Sequence, residues 1–142
     1  GCDMDKKLFR KIVVYLSGAF AGINERSVAF NVAVAKAKAA QLWNMGFTVI
    51  CPHSNAPMLV DGCLCHYEEY LMGDLELIDR SDCLLMLKGW ENSRGSVIEH
   101  DYAIQQGIPV FLSINDLYLK AVGGEIIYLK TERGFAQNTP VN

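Results

Sequence analysis

Cys83-Leu84-Leu85-Met86-Leu87, followed closely by Ser93-Arg94-Gly95-Ser96-Val97-Ile98-Glu99, decides the fold. The first run is short, wholly apolar and bounded by turn formers, as a strand buried on both faces should be. The second is a Ser/Gly turn that opens a helix over Ser96 to Gln106, stopped by Gly107. A strand that feeds a helix through such a turn exposes the helix's first amides, which suit a phosphate or another anion. Glu99 lies about one turn inside. A carboxylate beside an anion cradle makes little sense for binding alone, because like charges repel. It makes sense if the carboxylate attacks or stabilises a sugar carbon that turns cationic.

The same alternation runs outward in both directions. Lys11 to Gly18 contains a β-branched run that predicts a first strand, and Phe47 to Cys51, stopped by Pro52, predicts a second. Between them Val28, Val32, Ala35, Ala39, Leu42 and Trp43 recur at helical spacing up to Gly46, giving a long amphipathic helix. A loop of turn formers over 52–64 leads to a helix from Tyr67 to Arg80. After the third strand and its helix, Ile108 to Leu112 predicts a fourth strand, Asn115 to Val122 a short helix and Glu125 to Leu129 a fifth strand. The expectation is α/β: a single doubly wound, Rossmann/flavodoxin-like domain over 11–130 with a parallel sheet of about five strands. An N-terminal extension with a tag remnant (1–10) precedes it, and a polar tail (131–142) follows. Ligands in such sheets bind at the carboxyl ends of the strands, here Ser17-Gly18, Pro52-His53, Gly89-Trp90 and Ser113.

Composition narrows the function. The chain has 142 residues, 51% hydrophobic, with a formal net charge of −3. That is enough apolar material for a core, and the acidic balance argues against a nucleic-acid groove. No run is long and apolar enough for a membrane helix and no signal peptide opens the chain, so a cytoplasmic protein is expected. Five cysteines, an odd number, two of them in or beside apolar runs, read as reduced thiols rather than a disulfide framework. Cys51, His53, Cys63, Cys65 and His66 are metal-ligating types, but Cys-x-His and Cys-x-Cys-His lack zinc-knuckle spacing. No metal and no cofactor are expected.

Three segments carry a resemblance to a known family. Tyr15-Leu16-Ser17-Gly18, the Asp74-Leu75-Glu76-Leu77-Ile78 helix leading to Ser81-Asp82, and Ser93-Arg94-Gly95-Ser96 with Glu99, Ala103, Gly107 and Pro109 resemble the nucleoside 2-deoxyribosyltransferase superfamily. That group includes the nucleotide N-glycosidases, and the chain looks closest to uncharacterised phage and bacterial members. The resemblance spans residues 11–112. It implies cleavage or exchange at the N-glycosidic bond of a nucleoside or nucleotide, with Glu99 as nucleophile and Asp74 contacting the sugar or assisting proton transfer. It also implies a homo-oligomer. In the characterised glycosidases the first loop is rich in Gly and Arg; here Gly18 to Arg26 has one late Arg, so a 5′-phosphate contact does not carry over to this loop. A phosphoribohydrolase of the cytokinin-activating type is disfavoured, since its paired glycines are missing before Gly95.

The expected site is therefore catalytic Glu99 and Asp74, with Ser17, Gly18, His53, Ser93, Gly95 and Ser96 binding a nucleoside or nucleotide. Each has a plainer alternative. Glu99 is favourable in any first helical turn, Ser96 is a preferred N-cap type, and Ser17-Gly18 is also an ordinary turn. Asp79 and Asp82 read as structural, and Tyr15 as core rather than site. Phe20 and Trp90 are aromatics that either stack on a base or pack. Arg94 either pairs with phosphate or points into water. The rival function is a non-catalytic nucleotide-binding module, possibly phage-related, which need not keep both Glu99 and Asp74.

Overall fold

The computed structural model describes residues 3–20, 25–54 and 66–126. Its elements are α1 (Asp3–Phe9), β1 (Val13–Ser17), α2 (Glu25–Met45), β2 (Thr48–Ile50), α3 (Tyr67–Asp79), β3 (Cys83–Met86), α4 (Arg94–Gln105), β4 (Val110–Phe111) and α5 (Ile114–Val122). Short 3-10 turns form at Pro52–Ser54 and Trp90–Asn92. The sheet runs β2-β1-β3-β4 and every pairing is parallel, with Tyr15 opposite Ile50 and Leu84, and Leu85 opposite Phe111. This is the Rossmann/flavodoxin-like arrangement the alternating pattern predicts.

Side chains alternate across each strand, and the two faces build two cores. Val14, Leu16 and Leu85 pack with Phe9, Ala35, Leu42, Phe47 and Leu117 on the face covered by α1, α2 and α5. Tyr15, Leu84 and Met86 pack with Ile78 and Ala103 on the face covered by α3 and α4. After β2 the chain returns to the other side of β1 to make β3. Such a reversal opens a crevice at the carboxyl ends of the two central strands, which here are Ser17 and Met86.

Several expectations need correction. The described residues form four strands, not five. At the predicted fifth, the backbone turns at Gly124 (φ +74°), and Lys120 holds Glu125 at 2.8 Å. Glu125 and Ile126 are helical and Ile126 is buried, so these two residues join the core and not a strand. Residues 127–129 of that predicted strand, Gly1, and the tail 131–142 lie outside the described residues. Within the N-terminal extension, α1 docks: the ring of Phe9 stacks on Phe47 at 4.6 Å and meets Tyr118 edge-on at 5.9 Å. Trp43 leaves the apolar face of α2; it is 43% exposed, with the Arg10 guanidinium 5.2 Å over its ring. Gly46 ends α2 with φ +112°, a conformation open to Gly and costly elsewhere, and a Cβ there would meet the Lys6 backbone at 2.8 Å.

The two acids read as structural are engaged away from the crevice. Asp79 accepts a hydrogen bond from Tyr102 Oη at 2.6 Å. Asp82, 2% exposed, accepts from the Val13 amide at 2.7 Å and so ties the entrance of β3 to the start of β1. Truncating it strands a part-buried amide, which typically costs about 1–3 kcal/mol. Asp82→Ala is therefore expected to lower stability by about that amount in urea unfolding, and a loss under about 0.5 kcal/mol, the range of ordinary surface changes, would contradict it.

Candidate functional site

β1 supplies the floor. Tyr15 and Ser17 are two residues apart on one strand, so both point to the α3/α4 face. Both are buried, at 0% and 1% exposure. α4 lies over that face because Ala103 packs into the core below it, and this brings Glu99 down onto the strand end. Tyr15 Oη donates to Glu99 Oε2 at 3.1 Å and Ser17 Oγ donates to Glu99 Oε1 at 2.8 Å. Glu99 is 7% exposed. Asp74 projects from α3, which packs on α4, and is near enough to Glu99 and Tyr15 that both influence its carboxyl.

These groups line one cleft of about 290 Å³. Tyr15, Gly18, His53, Asp74 and Glu99 are on its wall, together with Ser93, Gly95 and Ser96. Seven of the eight predicted site residues thus face the same space; the eighth, Ser17, holds Glu99 from behind rather than lining the cleft. Gly18 is required for contact, not for its backbone angle: a Cβ there would sit 2.5 Å from Leu87 Cδ1. The helix cap is Ser93, not Ser96. α4 starts two residues earlier than expected, and Ser93 Oγ accepts from the Ser96 amide at 3.4 Å. Ser96 Oγ is buried and has no hydrogen-bond partner among the described residues.

His53 sits in the turn after β2, 5% exposed, with Nε2 2.9 Å from the Ala19 carbonyl. A carbonyl only accepts, so Nε2 carries the proton. Burial lowers the ring's pKa against the pull of the Ala19 and Gly18 carbonyls, which keeps His53 neutral. Phe20 lines the cleft and packs on His53, ring centroids 5.8 Å apart. Trp90 instead stacks on His100 at 4.4 Å and does not line the cleft. Arg94 lines the rim of the cleft and pairs there with Glu68 at 3.1 Å. Among the described residues no cluster of metal-ligating groups forms, and Cys63 and Cys65 lie outside them.

The residues that sequence reasoning missed are Tyr15, Tyr67, Tyr70, Leu71 and Asn92. Tyr15 was detectable. A phenol two residues before Ser17 in a buried strand shares its face, and a buried hydroxyl needs a partner. The others are set by how α3 docks on α4, which no local pattern reports.

The electrostatics follow from burial. Desolvation pushes Glu99 from 4.5 to about 7, opposed by the hydrogen bond from Ser17 and raised further by the charge of Asp74. Asp74 rises from 3.8 to about 6, again through desolvation, with Glu99 and Tyr15 pulling back. Burial and the two carboxyls push the Tyr15 phenol far up, so it stays a donor. Two carboxyls this close titrate as a pair. Near neutrality they share a proton, held mainly by Glu99, the group with the higher value.

A carboxyl whose pKa is raised on folding stabilises the fold while protonated. The contribution is full below the unfolded value near 4.5 and is lost as pH rises through about 7. Glu99→Gln has no such loss. Its stability relative to the unmodified protein should therefore improve between pH 5 and pH 8, by on the order of 2–3 kcal/mol. Urea unfolding at the two pH values measures the gap, and a gap that does not change with pH would show that Glu99 is not desolvated.

Comparisons with known proteins bear on the lineage. Residues 12–112 match the model of a family described as a domain of unknown function, DUF4406. No curated protein matches the chain. The matched span runs from the start of β1 to just beyond β4 and contains every residue of the cleft described above, so the chain belongs to the DUF4406 family.

Proposed function

We propose that the protein cleaves or exchanges the N-glycosidic bond of a nucleoside or nucleotide, as the likeness to the nucleoside 2-deoxyribosyltransferase superfamily implies. The observation that carries this reading is the Glu99 carboxyl, buried at 7% exposure and aimed by Tyr15 and Ser17 into a cleft that also holds Asp74. A buried acid held by two donors costs folding energy, and a cationic transition state is a chemical return on that cost.

In this mechanism the sugar lies with its anomeric carbon against Glu99. As the bond to the base weakens, positive charge grows on that carbon and draws the shared proton from Glu99 to Asp74. A Glu99 oxygen bonds to the carbon, the electron pair of the C–N bond leaves with the base, and Asp74 protonates the departing nitrogen. Water then attacks the glycosyl ester, giving its proton to Asp74 and freeing Glu99; a second base attacking in place of water completes a transfer. Tyr15 and Ser17 hold the two Glu99 oxygens throughout. Phe20 offers an aromatic wall for the base.

The active form carries one proton on the pair. Release of base should therefore follow a narrow bell in pH, limited by apparent values of about 6 and about 7. Below it both acids are protonated and no nucleophile remains; above it both are ionised and no acid remains. Glu99→Gln should keep fold and binding but lose about a thousandfold or more in rate. Asp74→Asn should lose about a hundred- to ten-thousandfold. Chromatography of free base from a panel of nucleosides and their monophosphates reads all of these. Undiminished release by Glu99→Gln would refute the nucleophile, and no release from any substrate by the unmodified protein would favour the nucleotide-binding module.

We also propose that the chain self-associates. Phe30 and Val34 lie one turn apart on α2 and are 67% and 41% exposed, an apolar pair that a second subunit would cover. Light scattering should report more than one chain per particle, and a monomer at every concentration would refute it.

A further inference from the structure

We infer that Tyr67 is a specificity-determining residue: with Glu68 pairing Arg94 at the rim, it closes the N-terminus of α4 to a phosphate and restricts the cleft to a sugar whose outer end is an uncharged hydroxyl. This rests on the glycosidic reading above.

The start of α4 has the parts of an anion cradle. Its first amides have no carbonyl within the helix to bond, and the helix dipole favours negative charge there. The Ser96 and Val97 amides are taken by Ser93, through Oγ at 3.4 Å and the carbonyl at 3.0 Å. The Arg94 and Gly95 amides remain. Tyr67, the first residue of α3, stands beside the second of them: its hydroxyl lies 2.6 Å from where a Cβ on Gly95 would be. A phosphate reaching these amides from the cleft would have to share the space beside Gly95 with that phenol.

Charge works the same way. Among the described residues, the charged groups on the cleft wall are Asp74, Glu99 and Arg94, with His53 neutral. The Arg94 side chain is 65% exposed and pairs with Glu68 at 3.1 Å. Tyr67 stands among these charges. Burial is the main cause that pushes its pKa up; Glu99 adds to the rise, Arg94 opposes it, and Glu68 and Asp74 contribute less. A dianion at that point would face the two carboxyls of Asp74 and Glu99, and the cation among the described wall residues, Arg94, is already paired with Glu68. A sugar hydroxyl suits it, since the Tyr67 oxygen and Ser96 Oγ, which has no partner among the described residues, both accept and donate.

The test uses the full chain carrying Glu99→Gln, so that ligands are bound and not consumed. This background is conservative, because removing a carboxylate can only help a phosphate. The four common 2′-deoxynucleosides and their 5′-monophosphates are titrated calorimetrically, and the Kd ratio of monophosphate to nucleoside is read. The ratio should be about tenfold or more in favour of the nucleoside. Adding Tyr67→Ala should cut it by about tenfold. Adding Glu68→Gln, which frees Arg94 at an exposed position, should cut it by about threefold. Thermal melts confirm that each variant is folded. Tighter binding of the monophosphate without either change would overturn the proposal, as would a ratio that neither variant moves. Nucleoside cleavage without this preference leaves the glycosidic reading standing and this inference fallen. The preference without cleavage by the unmodified protein does the reverse. Binding of neither ligand defeats both.

Discussion

The Glu99 carboxyl sits where water cannot reach it freely, and two hydroxyls from one strand hold it there. Tyr15 and Ser17 bond its two oxygens at 3.1 and 2.8 Å. Those two contacts constrain most of what surrounds them. They require β1 to present residues two apart to the α3/α4 face, and β1 is central, paired on both sides and buried from Val14 to Ser17. They require α4 to begin close enough to the strand ends that its second turn reaches them. The Ser93 cap and the tight turn from β3 through Trp90–Asn92 set that distance. Gly18 then lets Leu87 approach β1 without a side chain between them.

A second consequence is electrostatic. Burial raises both acids, but they arrive from different helices, Asp74 from α3 and Glu99 from α4. Their coupling therefore depends on the packing of α3 against α4 and not on either helix alone. That packing also sets Tyr67 beside Gly95 and Glu68 against Arg94. The dyad and the closed end of the cleft are thus two readouts of one helix–helix contact. A change that slides α3 along α4 would alter proton sharing and access to the α4 N-terminus together.

Much of this was legible in the chain. The apolar runs at 11–18 and 83–87 and the glycines at 46 and 107 mark strands and helix ends through local sterics and burial, and local rules read them well. Glu99 stood out because its turn and helix form one continuous segment. Asp74, on the helix after the 52–64 loop, needed the family resemblance as well as its helix. What failed was contextual. Glu125 and Ile126 sit in a segment of strand-forming residues, yet an ion pair to Lys120 and a left-handed glycine turn these two residues back. Ser96 has the type of a cap, but the cap one turn earlier competes better. Tyr15 was assigned to the core, and it is in the core; its hydroxyl is also in the site. Burial and function are not exclusive for a side chain with an apolar ring and a polar tip.

That double role bears on how such a site tolerates change. Tyr15 is wholly buried between Ile78 and Leu84 on the α3/α4 face, so its ring stabilises the same layer that its hydroxyl organises. Removing only the hydroxyl leaves the packing and takes one donor from Glu99, which shifts that acid toward its protonated form. Removing the ring opens a cavity beneath both helices and loosens the contact on which the dyad depends. The two losses separate chemically: the first changes where a proton sits, the second changes whether α3 and α4 hold their register. A site built on a strand's central residues therefore couples stability to protonation through one side chain, and Tyr15 is where that coupling lies.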